Sequence, residues 1–401
     1  MTEKPVYSGI ICEFNPLHLG HRYLLEQAKR DSDGVLCVMS GNWVQRGEPA
    51  LVSKFARARM AVSCGADLVA ELPTPWACAG AERFAMGGVS LLHRFGCVDR
   101  LWFGSECGDA ESLMKLARLL LSEEFRAALP RFLQTGMGFA AARQQAIAEI
   151  AGTETAALLE SPNNILGVEY CKALVRLNSP IQPMTTQRIG SGHDCEEEIR
   201  EGAILSASQL RERIRQNLSL TGLLPEPVAA ILEEERRAGR APADFRQLER
   251  ALLAKLRVMG REEMAALPDI SEGLENRLYE ASRCARSLEE LYERVKSKRY
   301  SHARIRRIVT AAFLNLPRES GTIPPYFRIL AMNSRGRKIL RVASKTAEIP
   351  VFSRPVEFFR DNGEAGALFA QEQQWTDLYA LSLPEPPACG WECRQKLCVL
   401  P

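Results

Sequence analysis

Two histidines three residues apart, His18 and His21, follow the first apolar run of the chain and are the residues best suited to chemistry. At a helix start, positions three apart share one face. Gly20 between them has no side chain, so a flat base or a phosphate can approach the backbone. Free N–H groups and the positive end of the helix dipole would complete a triphosphate cradle. Such a cradle stabilises the negative charge that develops when an α-phosphate is attacked.

The same pair of histidines has two other interpretations. It could bind zinc, but no third ligand has suitable spacing, and Gly20 would then be unexplained. The two histidines could instead be structural residues of the core. Their position at the end of the first strand-like run favours nucleotide binding, because ligands bind at the carboxyl ends of strands in open α/β sheets.

A second phosphate-holding helix start is indicated further along the chain. Ser206 and Ser208 precede a helix that is predicted to begin near Gln209, and Arg211 follows one turn into it. Alone, this pattern is typical of an ordinary N-cap. In combination with the histidine pair, it predicts a second group that closes on the phosphates.

The elements that must position these residues alternate between strands and helices. Helices are predicted near 19–29, 53–63 and 79–95, and residues 110–175 are helical apart from a break at 161–164. Short apolar strands are predicted at residues 7–14, 34–39, 67–72, 100–103 and 184–189. This alternation predicts an α/β fold, a Rossmann-like parallel sheet covered on both faces by helices.

Composition restricts the class of protein. The 401 residues are 46% hydrophobic and 25% charged, which excludes a disordered or fibrous protein and is typical of two or three globular domains. No apolar run is long enough to span a membrane, and no signal peptide is recognisable, so we expect a cytoplasmic protein without a membrane partner. The 12 cysteines are then expected to be reduced thiols.

Positive charge is concentrated in the second half of the chain. Residues 291–345 contain 14 basic and two acidic residues, although the whole chain has a net charge of only +3. Such a segment indicates a polyanion-binding module, or alternatively a solvated helix face. We predict a catalytic domain at 1–216, a mainly helical RNA-binding domain at 217–345, and a C-terminal extension at 346–401 that packs on the rest.

Several longer motifs point to one family. They are Glu13–Pro16, Met39–Asn42, Gln45–Ala50, Ser53–Lys54, Phe103–Glu106, Ser161–Gly167, and Lys298–Tyr300 followed by Arg304 and Arg307. Over residues 8–345 the chain resembles the bacterial tRNA(Met) cytidine acetate ligases of the HxGH nucleotidyltransferase superfamily. The resemblance implies that ATP and acetate form acetyl-adenylate and pyrophosphate. The acetyl group would then pass to N4 of the wobble cytidine of elongator tRNA(Met).

The resemblance also implies roles for individual residues. His18 and His21 would be catalytic and, with Mg²⁺, would neutralise the phosphates; no metal site made of protein side chains is predicted. Ser206 and Ser208 would hold the phosphates from the second helix start. The expected ATP contacts are Ile11, Cys12, Glu13, Phe14, Asn15, Pro16, Leu17, His18, Leu19, Gly20, His21, Arg22, Tyr23, Leu24, Gly104, Asn163 and Arg188.

Transfer RNA is expected to contact the basic segment. The residues concerned are Lys298, Arg299, Tyr300, Arg304 and Arg307. Tyr300 and His302 could stack on unpaired bases while the cations hold the backbone.

A further basic group near the second strand has two interpretations. Lys54, Arg57 and Arg59 could contact substrate phosphates or RNA, or could form a solvated helix face.

Two other functions remain open from sequence. One is a small-molecule adenylyltransferase of the nicotinamide mononucleotide or pantetheine-phosphate type, whose members are shorter. The other is a non-catalytic RNA-binding protein, which the intact histidine motif disfavours. Cys389, Cys393 and Cys398 are interpreted as incidental rather than as a zinc site, because their spacing is loose.

Overall fold

A computed structural model describes residues 4–188, 204–271, 273–297, 300–318 and 321–401. In chain order, the strands β1 to β10 are Tyr7–Cys12, Gly34–Ser40, Trp43–Val44, Glu48–Pro49, Leu68–Leu72, Arg100–Ser105, Gln182–Gln187, Phe327–Met332, Val351–Phe352 and Cys398–Val399.

The α-helices cover both faces of the sheet and build the second half of the chain. In chain order, α1 to α20 are Leu19–Arg30, Lys54–Ser63, Thr74–Ala77, Ala81–Phe95, Ala110–Leu121, Glu123–Leu133, Phe139–Ala151, Thr153–Ala157, Pro162–Arg176, Ala207–Arg215, Glu226–Arg237, Glu249–Val258, Arg261–Ala265, Leu274–Cys284, Leu288–Val295, His302–Leu314, Ser334–Ala343, Pro355–Phe358, Glu364–Ala380 and Trp391–Arg394. No helix of the described residues is long and apolar enough to cross a membrane.

The central sheet confirms the predicted fold class. Its strand order is β10-β8-β5-β2-β1-β6-β7, with β9 beside β8. β1 lies between β2 and β6 and is parallel to both, and β2–β5 and β6–β7 are also parallel. β1 and β2 are buried along their whole length, because helices cover both faces of a parallel sheet. The carboxyl ends of β1, β6 and β7 therefore meet at one edge.

One strand of this sheet comes from the region that the sequence assigned to the helical domain. β8 pairs antiparallel with β5, where Leu68 lies opposite Met332. Its residues are all buried, and pairing satisfies backbone groups that β5 would otherwise leave free at the sheet edge. Residues 217–345 are mainly helical, as predicted, and residues 327–332 are the strand that joins this region to the sheet.

A second core lies among the helices of the second half and includes residues from both ends of the chain. Trp43 donates its indole N–H to the carbonyl oxygen of Trp375 at 3.0 Å, and Trp375 donates to the carbonyl oxygen of Leu314 at 2.8 Å. These bonds join the β3 hairpin, α19 and α16. The domain boundaries themselves stay a prediction.

Candidate active site

His18 and His21 form the N-terminal cap of α1, directly beyond the carboxyl end of β1. Nδ1 of His18 accepts a hydrogen bond from the backbone N–H of Gly20 at 3.1 Å. Nδ1 of His21 accepts one from the backbone N–H of His18 at 3.3 Å. The two imidazoles thus fill the roles that a serine and a glutamate have in an ordinary capping box, and this fixes both rings.

The caps determine the protonation of both rings. A nitrogen that accepts a hydrogen bond carries no proton, so each neutral imidazole carries its proton on Nε2. Burial, followed by the charge of Arg188, lowers the pKa of His18 to about 4. Burial, His18 and Arg188 together hold the pKa of His21 well below its ordinary value. At neutral pH both imidazoles are therefore uncharged, and a hydrogen bond to the backbone of Pro16 opposes part of the shift at His21.

The histidines line a cleft at the carboxyl edge of the sheet. The residues that surround it are His18, Gly20, His21, Tyr23, Leu24, Gly104, Thr186, Gln187, Arg188, Ile204, Leu205 and Ser206. The structure thus brings together eight of the predicted positions from α1, the end of β6, the end of β7 and the start of α10. Two of the others, Thr186 and Gln187, have a signal in the sequence, because they end a predicted strand at this same edge.

Several predicted ATP contacts point away from this cleft. Ile11, Cys12, Phe14 and Leu17 are buried in the core, because β1 and the turn after it are covered on both faces. Arg22 extends outward and pairs with Glu26 at 2.9 Å. These five side chains do not line the cleft, so a contact of these residues with ATP would be made by their backbone, and the predicted contact stays a prediction.

The polar residues of the turn after β1 also bind within the protein. Glu13 accepts the backbone N–H of Gln45 at 2.7 Å, and burial raises the pKa of Glu13. Asn15 accepts the backbone N–H of Leu51 at 2.7 Å. Together with Pro16 and Leu19, these residues do not line the cleft. Their side chains hold the turn in place.

Asn163 lies at the start of α9, and the carboxylate of Glu106 holds it. Its side-chain amide donates to Glu106 at 2.6 Å, and the backbone N–H of Asn164 donates to the same carboxylate at 2.8 Å. Asn163 is not among the residues that line the cleft. The structure therefore gives it a positioning contact, beside the loop that follows Gly104.

The two serines before α10 have different environments. Ser206 is the N-cap of α10 and also lines the cleft. It therefore caps the helix in the ordinary way and lies at the predicted site. The hydroxyl of Ser208 lies outside the cleft and accepts from Arg46 at 3.1 Å and from Arg211 at 3.2 Å. Arg211 also donates to the carbonyl oxygen of Asn15 at 2.8 Å. Ser208 thus contributes to holding the turn after β1.

Lys54 and Arg57 are fully buried, which contradicts both interpretations drawn from sequence. Nζ of Lys54 lies 2.5 Å from Glu71 and 2.9 Å from Glu392. Arg57 donates to the carbonyl oxygens of Glu13, Gly41 and Val52. The two cations neutralise internal carboxylates and carbonyls, so they contact neither substrate nor solvent.

Arg59 is the exposed member of this group, and it pairs with Glu234 on α11.

The basic segment is partly engaged with the loop before α14. Lys298 and Arg299 lie outside the described residues. Arg304 donates to the carbonyl oxygen of Asp269 at 2.9 Å, and Arg307 pairs with the Asp269 carboxylate at 2.6 Å.

Tyr300 does not have the exposure that stacking requires. Its ring is only 5% exposed and packs beneath the guanidinium of Arg304. Stacking on a base would require this ring to be uncovered, and its contact with tRNA stays a prediction.

Within the described residues, no group of three or more His, Cys, Asp or Glu side chains is arranged to hold a metal ion. The Nδ1 atoms of His18 and His21 are engaged in the cap. In the C-terminal segment, the thiol of Cys393 contacts the side-chain oxygen of Gln373 at 2.9 Å.

A parallel sheet with a His-x-Gly-His turn at its central strand defines a nucleotidyltransferase, and the family model described as HIGH Nucleotidyl Transferase matches residues 6–389. Curated relatives narrow this class. The tRNA(Met) cytidine acetate ligase of Fervidobacterium nodosum is 39% identical to this chain, and the match covers 86% of this chain and 83% of the relative. The tRNA(Met) cytidine acetate ligase of Acetivibrio thermocellus is 37% identical, and the match covers 98% of this chain and 99% of the relative. The chain belongs to the tRNA(Met) cytidine acetate ligase family.

Solved structures agree with this assignment. Thermotoga maritima TmcAL bound with alpha-thio ATP superposes with a TM-score of 0.89 at 30% identity, covering 98% of this chain and 99% of that chain. The apo form of the same protein gives a TM-score of 0.92, covering 98% and 100%.

Proposed function

We propose that this protein joins acetate to ATP as acetyl-adenylate and transfers the acetyl group to N4 of the wobble cytidine of elongator tRNA(Met). The observation that carries the proposal is the pair of capped, uncharged imidazoles of His18 and His21 in the cleft at the carboxyl edge of the sheet. Membership of the ligase family supports it, as does the alpha-thio ATP bound in the Thermotoga relative.

In the first step, an acetate oxygen attacks the α-phosphorus of ATP, and the bond to the pyrophosphate oxygen breaks. A carboxylate is already ionised at neutral pH, so this attack needs no general base. The step needs in-line placement and donors for the charge that moves onto the phosphate oxygens. We propose that the fixed imidazoles of His18 and His21 face these oxygens, and Arg188 supplies a cation at the same cleft.

Among the residues that the structure describes, those that line the cleft include no carboxylate, and carboxylates are the usual protein ligands of Mg²⁺. We therefore propose that any Mg²⁺ enters on the triphosphate oxygens as part of the MgATP substrate.

In the second step, the exocyclic amine attacks the acetyl carbonyl carbon. The amide bond forms, the bond between that carbon and the adenylate oxygen breaks, and the amine loses one proton as AMP leaves. A mixed anhydride is strongly activated, so orientation of the base contributes more than a strong base would. We propose that Lys298, Arg299, Arg304 and Arg307 hold the tRNA during this step.

The test is exchange of labelled pyrophosphate into ATP, measured with acetate, without acetate, and with or without tRNA. We expect exchange only when acetate is present, and acetylated cytidine only when tRNA(Met) is added. Pyrophosphate exchange that does not depend on acetate, together with turnover of a phosphorylated small molecule, would identify an adenylyltransferase and overturn the proposal.

A further inference from the structure

Glu106, in the loop after β6, and the start of α9 hold each other through hydrogen bonds in both directions. One carboxylate oxygen of Glu106 accepts the side-chain amide and the backbone N–H of Asn163, at 2.6 and 3.3 Å. The other oxygen accepts the backbone N–H of Asn164 at 2.8 Å. In return, the side-chain oxygen of Asn164 accepts the backbone N–H groups of Glu106 and Cys107 at 3.0 and 3.1 Å. We call this set of contacts the Glu106 clamp, defined by Glu106, Asn163 and Asn164.

The Glu106 clamp joins two distant parts of the chain. Asn163 lies 57 residues after Glu106. Ser161, the N-cap of α9, forms no side-chain cap hydrogen bond, so Glu106 supplies the acceptor for the first N–H groups of this helix. Asn164 is buried. Because each partner bonds the backbone of the other, the loop after β6 cannot move relative to α9 without breaking several hydrogen bonds.

The same loop supports two residues of the nucleotide cleft. The carbonyl oxygen of Ser105 accepts the backbone N–H of Arg188 at 2.9 Å, and the carbonyl oxygen of Glu106 accepts the side-chain amide of Gln187 at 3.4 Å. Gly108 has a φ of +66°, and a Cβ placed on it would lie 2.9 Å from Cβ of Gln187. Gln187 and Arg188 both line the cleft. Their position therefore depends on a loop that the Glu106 clamp fixes.

Glu106 does not line the cleft itself, and neither do its partners on α9. We propose that Glu106 is a positioning residue for ATP, which holds Gln187 and Arg188 in the cleft through the loop after β6. This inference rests on the proposed function, because it takes ATP as the ligand of the cleft. Arg188 supplies the cation of the cleft, so a displaced loop would move that charge away from the phosphates.

A second carboxylate of the same loop provides a matched control. Asp109 caps α5 and accepts the backbone N–H groups of Glu111 and Ser112 at 2.9 and 3.2 Å. It does not line the cleft, and its carboxylate bonds the first turn of α5 rather than α9. Loss of this cap therefore tests what a purely structural carboxylate contributes.

The test compares Glu106→Gln with the control Asp109→Ala. Gln has nearly the size of Glu, but its amide group places a donor where the N–H groups of α9 need an acceptor. We expect Glu106→Gln to raise both the dissociation constant and the KM for ATP about tenfold, with kcat for acetate-dependent exchange within about threefold. Asp109→Ala should lower the thermal midpoint and leave the affinity for ATP unchanged.

A double-mutant cycle tests whether Glu106 acts through Arg188. In an Arg188→Ala background, Glu106→Gln should weaken ATP binding by less than about threefold, because the residue that it positions is already absent. Equal effects of Glu106→Gln in the two backgrounds would overturn the inference.

The KM for ATP separates positioning from a purely structural role. A structural role would reduce the amount of folded enzyme and therefore kcat, while KM and the dissociation constant for ATP stayed unchanged, and this result would overturn the inference. Asn164→Ala breaks the other half of the Glu106 clamp and is measured if Glu106→Gln does not fold. A similar rise in KM for ATP is expected, and an unchanged KM would again overturn the inference.

ATP binding is measured without acetate and without tRNA, so it is independent of the reaction. If the unmodified protein binds ATP but shows no acetate-dependent exchange, the proposed function is rejected, and the affinities of the variants for ATP still decide the role of Glu106. Absence of ATP binding in the unmodified protein would overturn both.

Discussion

The backbone N–H of His18 donates to Nδ1 of His21, and the two imidazole rings stack with their centroids 3.7 Å apart. Burial is the main cause of the low pKa of both rings; Arg188 adds to it at His18, and His18 and then Arg188 add to it at His21. Both rings are therefore neutral at pH 7, and the cap and the stack hold them side by side in the cleft.

Replacing His21 by Ala removes one donor from the cleft. We expect kcat/KM for acetate-dependent pyrophosphate exchange to fall by about 10² to 10³, as for other donors that stabilise a developing oxyanion. Arg22→Ala is the matched control, because Arg22 is the next residue but pairs with Glu26 on the outer face. A His21→Ala enzyme that keeps full exchange would exclude a catalytic role.

The low pKa of His18 predicts an acid-sensitive stability. The folded protein binds a proton at His18 only near pH 4, whereas the unfolded chain binds it near pH 6.5. The contribution of neutral His18 to the free energy of unfolding is therefore almost fully present at neutral pH and is lost as the pH falls below 6.5. We expect a loss of roughly 2 kcal/mol between pH 7 and pH 5. Urea unfolding of the unmodified protein and of His18→Gln at both pH values measures this loss. An equal loss in the two proteins would contradict the assignment to His18.

Two glycines of the cleft should differ in their tolerance of alanine. A Cβ on Gly20 would lie 3.1 Å from Cε1 of His18, whose ring is fixed by its cap and its stack. A Cβ on Gly104 would lie 3.4 Å from Cγ of Arg188, an ordinary contact with a flexible chain. We expect Gly20→Ala to reduce exchange by about 10 to 100-fold, because displaced catalytic groups lose their alignment. Gly104→Ala should stay within about threefold, and similar losses in both would refute this difference.

Lys54 should contribute to stability rather than to substrate binding. Lys54→Met leaves Glu71 and Glu392 with Arg328 as the remaining cation. Breaking a buried ion pair costs about 3–5 kcal/mol in the free energy of unfolding. The control Lys115→Met removes an exposed lysine paired with Glu111 and should leave the free energy of unfolding close to that of the unmodified protein. Urea unfolding of both variants checks this; a stable Lys54→Met protein with a raised KM for ATP would restore the substrate role.

Arg304 and Arg307 should act on tRNA without acting on ATP. Their double replacement by Ala is expected to weaken tRNA binding at least tenfold while ATP affinity stays near that of the unmodified protein. Arg307 also pairs with the Asp269 carboxylate and Arg304 with its backbone carbonyl oxygen, so the companion variant Asp269→Asn removes the charge that faces Arg307 and keeps the contact with Arg304. Titrations with tRNA and with ATP measure both affinities, and an equal loss of the two would assign the segment a structural role.

The cleft could be anticipated because its parts are local. Apolar runs predicted β1, β6 and β7, and parallel strands bring their carboxyl ends to one edge, so Gly104 and Arg188 meet the histidines. Local sequence does not predict which side chains of residues 11–24 face the cleft and which face the core. Ile11 faces the core because α4 covers it, and Ile11 packs directly against Gly88.

Hydrophobic periodicity, helix caps and the His-x-Gly-His spacing depend on neighbours within a few residues, so the parallel strands, the start of α1 and the nucleotide-binding edge could be predicted from local sequence. The burial of Lys54 depends on Glu392, more than 300 residues away, and the strand at 327–332 depends on the free edge of β5. These features follow from contacts between distant parts of the chain, because a charge can be buried only where the fold brings an opposite charge to meet it.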